Sequence, residues 1–343
     1  MPETEAPLGK EHGWSLMRRE LEDQPQLLAR IAAALDAAVA DTRPARSRTI
    51  WAGGCGDSLF AADALAAHFR AAGYRFRAAS AAEMLWNGEI SPEDAVVAVS
   101  ISGTTRRTVE GLATARTAGA RTIAVTINPK SPLSEVADAT LLLPYTPISR
   151  AIPHGLDYHV TLLALATLAA PISGAEPGAL FAEATDAAMA QAATVADSLG
   201  PNSRFVFLGG GPAAKGTAAF AAAKMQEAGG LPAWSFEAEN FTHGAQFMLR
   251  PGDIVGLFGA GGPADARTRA LRDGLDRLGC HVIEAGFENP QSPHAPLRAA
   301  LLGGLAAQAL CLAISERLDL DVMDPAQGSG ADLVQKDWFS WQS

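Results

Sequence analysis

Between Thr49 and Pro144, short apolar runs alternate with longer segments whose apolar positions recur at helical spacing. Runs near 49–53, 75–79, 95–99, 121–125 and 139–143 have the length and continuity of strands buried on both faces. The segments near 57–71, 81–87, 104–118 and 132–137 read as helices. Such alternation predicts a parallel sheet with right-handed crossovers. Ahead of it, Trp14, Leu16, Met17, Leu21, Leu27, Leu28 and Ile31 fall at roughly helical spacing. Pro25 interrupts them, which predicts two helices joined at Asp23-Gln24-Pro25. Asp41 to Arg48 is polar, contains Pro44, and reads as a linker. Ala/Leu-rich helices over 156–170 and 178–199, separated by Pro171-Ile172-Ser173-Gly174, carry the chain onward.

The pattern then repeats. Phe205-Val206-Phe207-Leu208 and Gly209-Gly210-Gly211-Pro212 match the strand and glycine turn found 155 residues earlier. Asp253 to Phe258, a Gly-rich turn, a helix over 264–278 and Cys280-His281-Val282-Ile283 match the next strand, turn, helix and strand. A duplicated α/β unit follows. Three segments result: an N-terminal helical one (1–47), a first unit (48–172) and a second (173–343).

The two turns of the first unit differ from ordinary loops. Gly53-Gly54-Cys55-Gly56-Asp57-Ser58 follows one apolar run, and Ser100-Ile101-Ser102-Gly103-Thr104-Thr105 follows another. Both open helices at the carboxyl edge of a parallel sheet, where free N–H groups and the helix dipole favour an anion. Four hydroxyls among the six residues Ser100 to Thr105 suit a phosphate. In the second unit that position reads Phe258 to Pro263, without hydroxyls, so only the first unit keeps the cradle.

Composition narrows the class. With 343 residues, 48% of them apolar, the chain has room for two compact domains, and no segment stands out as long and apolar enough to cross a membrane. Met1 to Lys10 is polar and acidic, unlike a signal peptide. A net charge of −10 opposes general nucleic-acid binding. Cys55, Cys280 and Cys311 show neither metal spacing nor a disulfide framework, which fits a reducing cytoplasm. The turn at Gly54 to Leu59 lacks the third glycine of a dinucleotide fingerprint, and Gly211 to Thr217 has the wrong order for an ATPase phosphate loop. His154 and His159 are five apart, a spacing that does not put both on one helix face for a metal. No Gly-x-Ser-x-Gly elbow occurs. No cofactor or metal is expected.

Several motifs in order resemble the tandem sugar isomerase (SIS) domain family, in particular the isomerase half of glucosamine-6-phosphate synthase. Met17 to Pro25 resembles the opening "M-x-x-E-I-x-E-Q-P", and Cys55-Gly56-Asp57-Ser58 resembles "C-G-T-S", with Asp57 in place of threonine. Ser100 to Thr105 resembles "S-Q-S-G-E-T", departing at Ile101 and Thr104. Lys224-Met225-Gln226-Glu227 resembles "K-L-K-E", and Thr242-His243-Gly244 resembles "K-H-G". The likeness runs over roughly residues 14–343.

The resemblance implies an α/β fold of two doubly wound, flavodoxin-like SIS domains, each with a five-stranded parallel sheet, preceded by N-terminal helices. It implies a sugar phosphate held by Ser58, Ser100, Ser102 and Thr105, with backbone around Cys55, Gly56, Ile101 and Gly103. Glu227 would move a proton between C1 and C2 of the open-chain sugar. His243 would open the ring, reaching the site from a neighbouring subunit, so a homodimer is expected. The family's C-terminal Schiff-base lysine has one nearby counterpart, Lys336, although "P-R-N-L-A-K" compares with Asp332 to Lys336 only with a one-residue shift and without the arginine.

Elementary chemistry agrees with these roles. An enediol route needs one carboxylate shuttle, best a glutamate whose pKa partial burial raises, plus an acid–base group near the ring oxygen. Glu227 follows the apolar helix Phe220 to Met225 and precedes Gly229-Gly230, a plausible half-buried helix end. Blander readings stand beside these: Ser58 and Thr104 as helix caps, Glu227 as a solvated charge, Lys336 as a surface lysine. A glutaminase domain like that of the synthase, with its leading cysteine, is not expected, the first cysteine here being Cys55. The expectation is therefore a hexose- or hexosamine-6-phosphate isomerase or deaminase, with a fructosamine-6-phosphate deglycase or a non-catalytic phosphosugar sensor as alternatives.

Overall fold

The computed structural model describes residues 12–46, 48–86, 89–172, 176–292, 294–324, 326, 330 and 331. Helix α1 (Gly13–Ala38) is continuous through Pro25, so the two helices expected there are one. Proline removes one N–H from the helix. The face carrying Met17, Leu21, Leu28, Ile31 and Leu35 is buried against the body of the protein, and that burial outweighs the lost bond.

The first sheet contains β1 (Thr49–Gly54), β2 (Arg75–Ser80), β3 (Asp94–Val99), β4 (Arg121–Thr126) and β5 (Ala139–Leu142), all parallel, in the order β2-β1-β3-β4-β5. Its connections carry α2 (Asp57–Ala64), α3 (Ala66–Ala71), α4 (Ala81–Trp86), α5 (Arg106–Thr117) and α6 (Pro132–Glu135). The expected helix over 57–71 is thus two, with a break at Leu65. Alternate strand residues sort to the two faces. Ile50, Val97, Val99, Ile123 and Val125 join a large core, while Trp51, Val96, Ala98 and Ala124 join a smaller one under α4 and α5.

Helices α7 (Leu156–Ala169) and α8 (Glu176–Asp197) lead to the second sheet. It comprises β6 (Phe205–Gly209), β7 (Ala233–Glu237), β8 (Ile254–Phe258) and β9 (His281–Ala285), again all parallel, in the order β7-β6-β8-β9. The winding repeats that of the first sheet, but the sheet has four strands where five were expected. After β9 the chain runs through a turn into a helix instead of returning as a fifth strand. Between the strands lie α9 (Gly211–Gly229), α10 (Ala238–Phe241), a 3-10 turn (Ala245–Met248), α11 (Asp265–Arg269) and α12 (Arg272–Arg277). The expected helix over 264–278 is therefore interrupted at Ala270 and Leu271.

Elements outside the expectations above are β7, α10, the 3-10 turn and α13 (Ala295–Arg317). Helix α13 corrects the expectation that nothing is apolar enough to cross a membrane. Its mean hydropathy over 18 residues reaches 1.8, and 89% of that window is buried inside the protein. It is the central helix of the large core, shared with α1, α7, α8, α9 and both sheets. Arg18 grips its end through two guanidinium nitrogens on Glu316, at 2.6–2.9 Å.

One close approach sets up the site. A Cβ at Gly216 on α9 would lie 2.2 Å from the Phe60 carbonyl and 2.6 Å from the Ala64 nitrogen on α2. Only a glycine lets the helices meet at this distance, and the C-terminal turns of α9 are thereby held beside the N-terminus of α2.

Candidate active site

The two turns expected to cradle a phosphate follow β1 and β3, neighbours in the sheet at the point where strand order reverses. The second turn is shaped by Gly103, at φ +70°, where a Cβ would sit 2.2 Å from Ser131 Oγ. Its hydroxyls bond in pairs, Ser100 with Thr105 at 2.9 Å and Ser102 with Thr104 at 2.8 Å. The Gly103 N–H donates to Ser100, at 3.0 Å to its carbonyl and 3.2 Å to its hydroxyl. Neither Ser58 nor Thr105 caps its helix through a side-chain bond.

A cavity of about 340 Å³ opens there, lined by Cys55, Asp57, Ser58, Ser100, Ile101, Ser102 and Thr105 from the first unit and by Glu227 from α9. Glu227 is thus brought to the hydroxyl turn across more than a hundred residues of sequence. Gly56, Gly103 and Thr104 do not line the cavity. His243 is absent from it too. Its side chain is 73% exposed, 3.6 Å from Glu239 on the preceding turn. Lys336 lies outside the described residues.

The structure explains Asp57, the departure from the "C-G-T-S" pattern. Lys224, buried on α9, donates to Asp57 Oδ2 at 2.9 Å and to Glu227 Oε2 at 2.5 Å. Burial works against the Lys224 ammonium, but the two carboxylates more than offset this, so its pKa is raised and the charge persists. For Glu227, burial in the wall of the cavity and the charge of Asp57 raise the pKa above the ordinary carboxylate value, against the pull of Lys224 and His154. Its side chain remains 46% exposed, so the desolvation is that of a concave wall and not of the core.

A third wall was not anticipated from the sequence. The loop after β5 brings Pro147, Arg150 and His154 to the cavity, and the first turns of α7 add Asp157 and Thr161. Asp157 accepts from Tyr145 Oη at 2.6 Å, and burial raises its pKa. Behind His154 lies Glu20 of α1, a glutamate with 1% of its side chain exposed. Glu20 Oε2 accepts the Gly155 and Leu156 N–H groups at 2.9 and 3.1 Å and the Gln308 amide at 3.1 Å, so it serves the N-terminus of α7. Gln308 in turn accepts from Gln24 at 2.8 Å. Glu20 and Gln24 are two of the three polar positions of the "M-x-x-E-I-x-E-Q-P" stretch, the sequence signal for this wall.

His154 lies in the loop before α7 and His159 within it, so helical spacing does not govern their separation. His154 lines the cavity while His159 is fully buried, with neither ring nitrogen hydrogen-bonded. Among the described residues no group of three or more His, Cys, Asp or Glu side chains is arranged to hold a metal ion. In the second unit the turn after β8 is filled by the protein itself. Asp265 accepts the Ala260 and Gly261 N–H groups at 2.8 and 3.1 Å, where the first unit leaves its corresponding turn facing the cavity.

Over a 55-residue stretch the chain is 47% identical to the 3-hexulose-6-phosphate isomerase of Mycobacterium gastri, a match spanning 16% of this chain and 28% of that protein. Among solved structures, glucosamine-6-phosphate deaminase from Thermotoga maritima superposes with a TM-score of 0.72 at 23% identity, over 88% of this chain and 95% of the other. The C-terminal domain of glucosamine-fructose-6-phosphate aminotransferase from Francisella tularensis gives 0.74 at 15% identity, over 92% and 99%. Tagatose-6-phosphate ketose/aldose isomerase from Escherichia coli gives 0.72 at 18% identity, over 92% and 95%. These likenesses establish a common fold across both sheets. The SIS domain model matches residues 45–170, the span that holds the first sheet and the hydroxyl turn.

Proposed function

We propose that the protein is a phosphosugar-processing enzyme, an aldose–ketose isomerase or amino-sugar-phosphate deaminase acting on a hexose or hexosamine 6-phosphate. The observation that carries this reading is a single cavity lined both by Ser58, Ser100, Ser102 and Thr105 and by Glu227. The hydroxyl turn and the start of α2 hold the phosphate, a remote anchor that fixes the reacting carbons. Glu227 takes a proton from one carbon and returns it to its neighbour through an enediol or enolamine. A carboxylate whose pKa is raised, yet which an ammonium keeps ionised, suits that shuttle. Arg150 adds a positive charge to a cavity otherwise lined by Asp57, Asp157 and Glu227.

His243, exposed and not part of the lining of its own chain's cavity, serves the cavity of a second copy and opens the sugar ring there, so the working form is a homodimer. The names of the matched proteins, an isomerase and a deaminase of sugar phosphates among them, support the substrate class. A sensor without turnover has no use for a glutamate held beside the phosphate turn by a buried lysine.

The test is Glu227→Gln, assayed with hexose and hexosamine 6-phosphates found by thermal shift. Turnover is expected to fall by about 10²–10⁴-fold, while the thermal shift given by the same compound persists. Turnover at the unmodified rate would falsify the role of Glu227.

A further inference from the structure

Glu20 and His154 are placed as a functional pair, yet no motif assigns His154 a role. Glu20 Oε2 is fully engaged by Gly155, Leu156 and Gln308. Its other oxygen, Oε1, is buried without a hydrogen bond, and so is Nδ1 of His154, 3.6 Å away. A buried carboxylate oxygen left unpartnered is costly, and the group facing it is the one ring nitrogen that a small rotation brings into bonding range. His154 keeps 18% of its side chain exposed and lines the cavity, on a different wall from Glu227. The two are close enough for His154's charge to act on the Glu227 carboxyl.

We propose that His154, braced by the positioning residue Glu20, carries protons between the two substrate oxygens while Glu227 carries them between the two carbons. This rests on the enediol reading above. In the first half-reaction, Glu227 removes the proton from the carbon next to the carbonyl, and the carbonyl oxygen takes a proton from the His154 imidazolium. An enediol, a protonated Glu227 and a neutral His154 result. In the second half, the enediol's other hydroxyl gives its proton to His154, and Glu227 returns its proton to the former carbonyl carbon. Both side chains recover their starting charge and the net change is the isomerisation alone. Without such a group the carbonyl oxygen would have to carry a full negative charge.

The surrounding charges suit an imidazolium at rest. Burial disfavours the cation, but Glu20 on α1 and Asp157 on α7 more than offset both this and Lys224 on α9, so the His154 pKa is raised. Glu227 and Asp57 face the same cavity with negative charge, and Arg150 opposes them.

The experiment measures kcat against pH for the unmodified protein, His154→Gln and Glu20→Gln, using the hexose 6-phosphate that the unmodified protein converts fastest. His154→Gln should lose about 10²–10⁴-fold in kcat, keep its thermal shift with that compound, and lose the limb on which activity falls as pH rises. Glu20→Gln keeps an acceptor for Gly155 and Leu156 and removes the charge, so that limb should move to lower pH. A fall in kcat without that displacement would make Glu20 merely structural and overturn the pairing. If His154→Gln does not fold, imidazole NMR of the unmodified protein decides. One ring should titrate above the ordinary value, shift on adding the same hexose 6-phosphate, and titrate lower in Glu20→Gln, and the absence of such a ring overturns the proposal. An active protein that Glu227→Gln silences and His154→Gln does not would sink this inference and leave the proposed function standing. Inertness of the unmodified protein toward every phosphosugar would sink both.

Discussion

Asp57→Asn isolates the electrostatics of the candidate site. Asp57 and Glu227 share one ammonium, and the two contacts of 2.9 and 2.5 Å cap the separation of their bonded oxygens at about 5.4 Å. Two like charges at that distance repel by about 3 kcal/mol at an effective dielectric of about 20. Glu227 is 46% exposed, and solvent screening about halves the figure, to roughly 1.5 kcal/mol. That corresponds to about a tenfold change in proton affinity. Asparagine keeps an acceptor for Lys224 and removes the like charge, so Glu227 should stay ionised to lower pH. In a profile of kcat/KM, which reports the free enzyme's base, the acidic limb should move down by about one pH unit while the plateau changes little. The assay is steady-state isomerisation of the preferred sugar phosphate, with folding checked by thermal unfolding at each pH. An acidic limb that stays in place, or moves up, would show that Asp57 does not set the ionisation of Glu227. Loss of all activity in a folded variant would instead make Asp57 a substrate contact.

Two further outcomes follow from other parts of the structure. Ser102→Ala removes one hydroxyl of the cradle and should raise KM more than it lowers kcat, so an unaltered KM counts against phosphate binding at this turn. His159 is buried without a partner and burial lowers its pKa to about 3, while His68, lowered to about 4 by burial and then by His294, adds a second such group. Both pKa values lie below that of an unfolded histidine. Stability is therefore complete above about pH 6.5 and falls on acidification, by up to about 1.4 kcal/mol per pH unit for each ring. His159→Leu should gain up to about 2 kcal/mol at pH 5 relative to its effect at pH 8 in denaturant titrations. An equal effect at both pH values would mean that the ring is not held neutral.

Much of this protein is legible along the chain. Strand length, turn composition and helical spacing are local properties, and they specified the first parallel sheet with its alternating helices, the duplicated β6 and β8, and the hydroxyl turn from Ser100 to Thr105. Glu227 was identified by its motif, and the fold places it in the same cavity as that turn. Tertiary structure decided the rest. Pro25 does not break α1, because packing outweighs one missing N–H. The apolar run in α13 is a core helix, because α1, α7, α8, α9 and β9 pack against it. Asp57 finds Lys224 only because Gly216 lets α9 touch α2, and Glu20 reaches His154 from 134 residues away because α1 lies across the start of α7. Periodicity records which face of an element avoids water. It does not record which other element covers that face, and the Asp57–Lys224 and Glu20–His154 pairs both lie at such contacts.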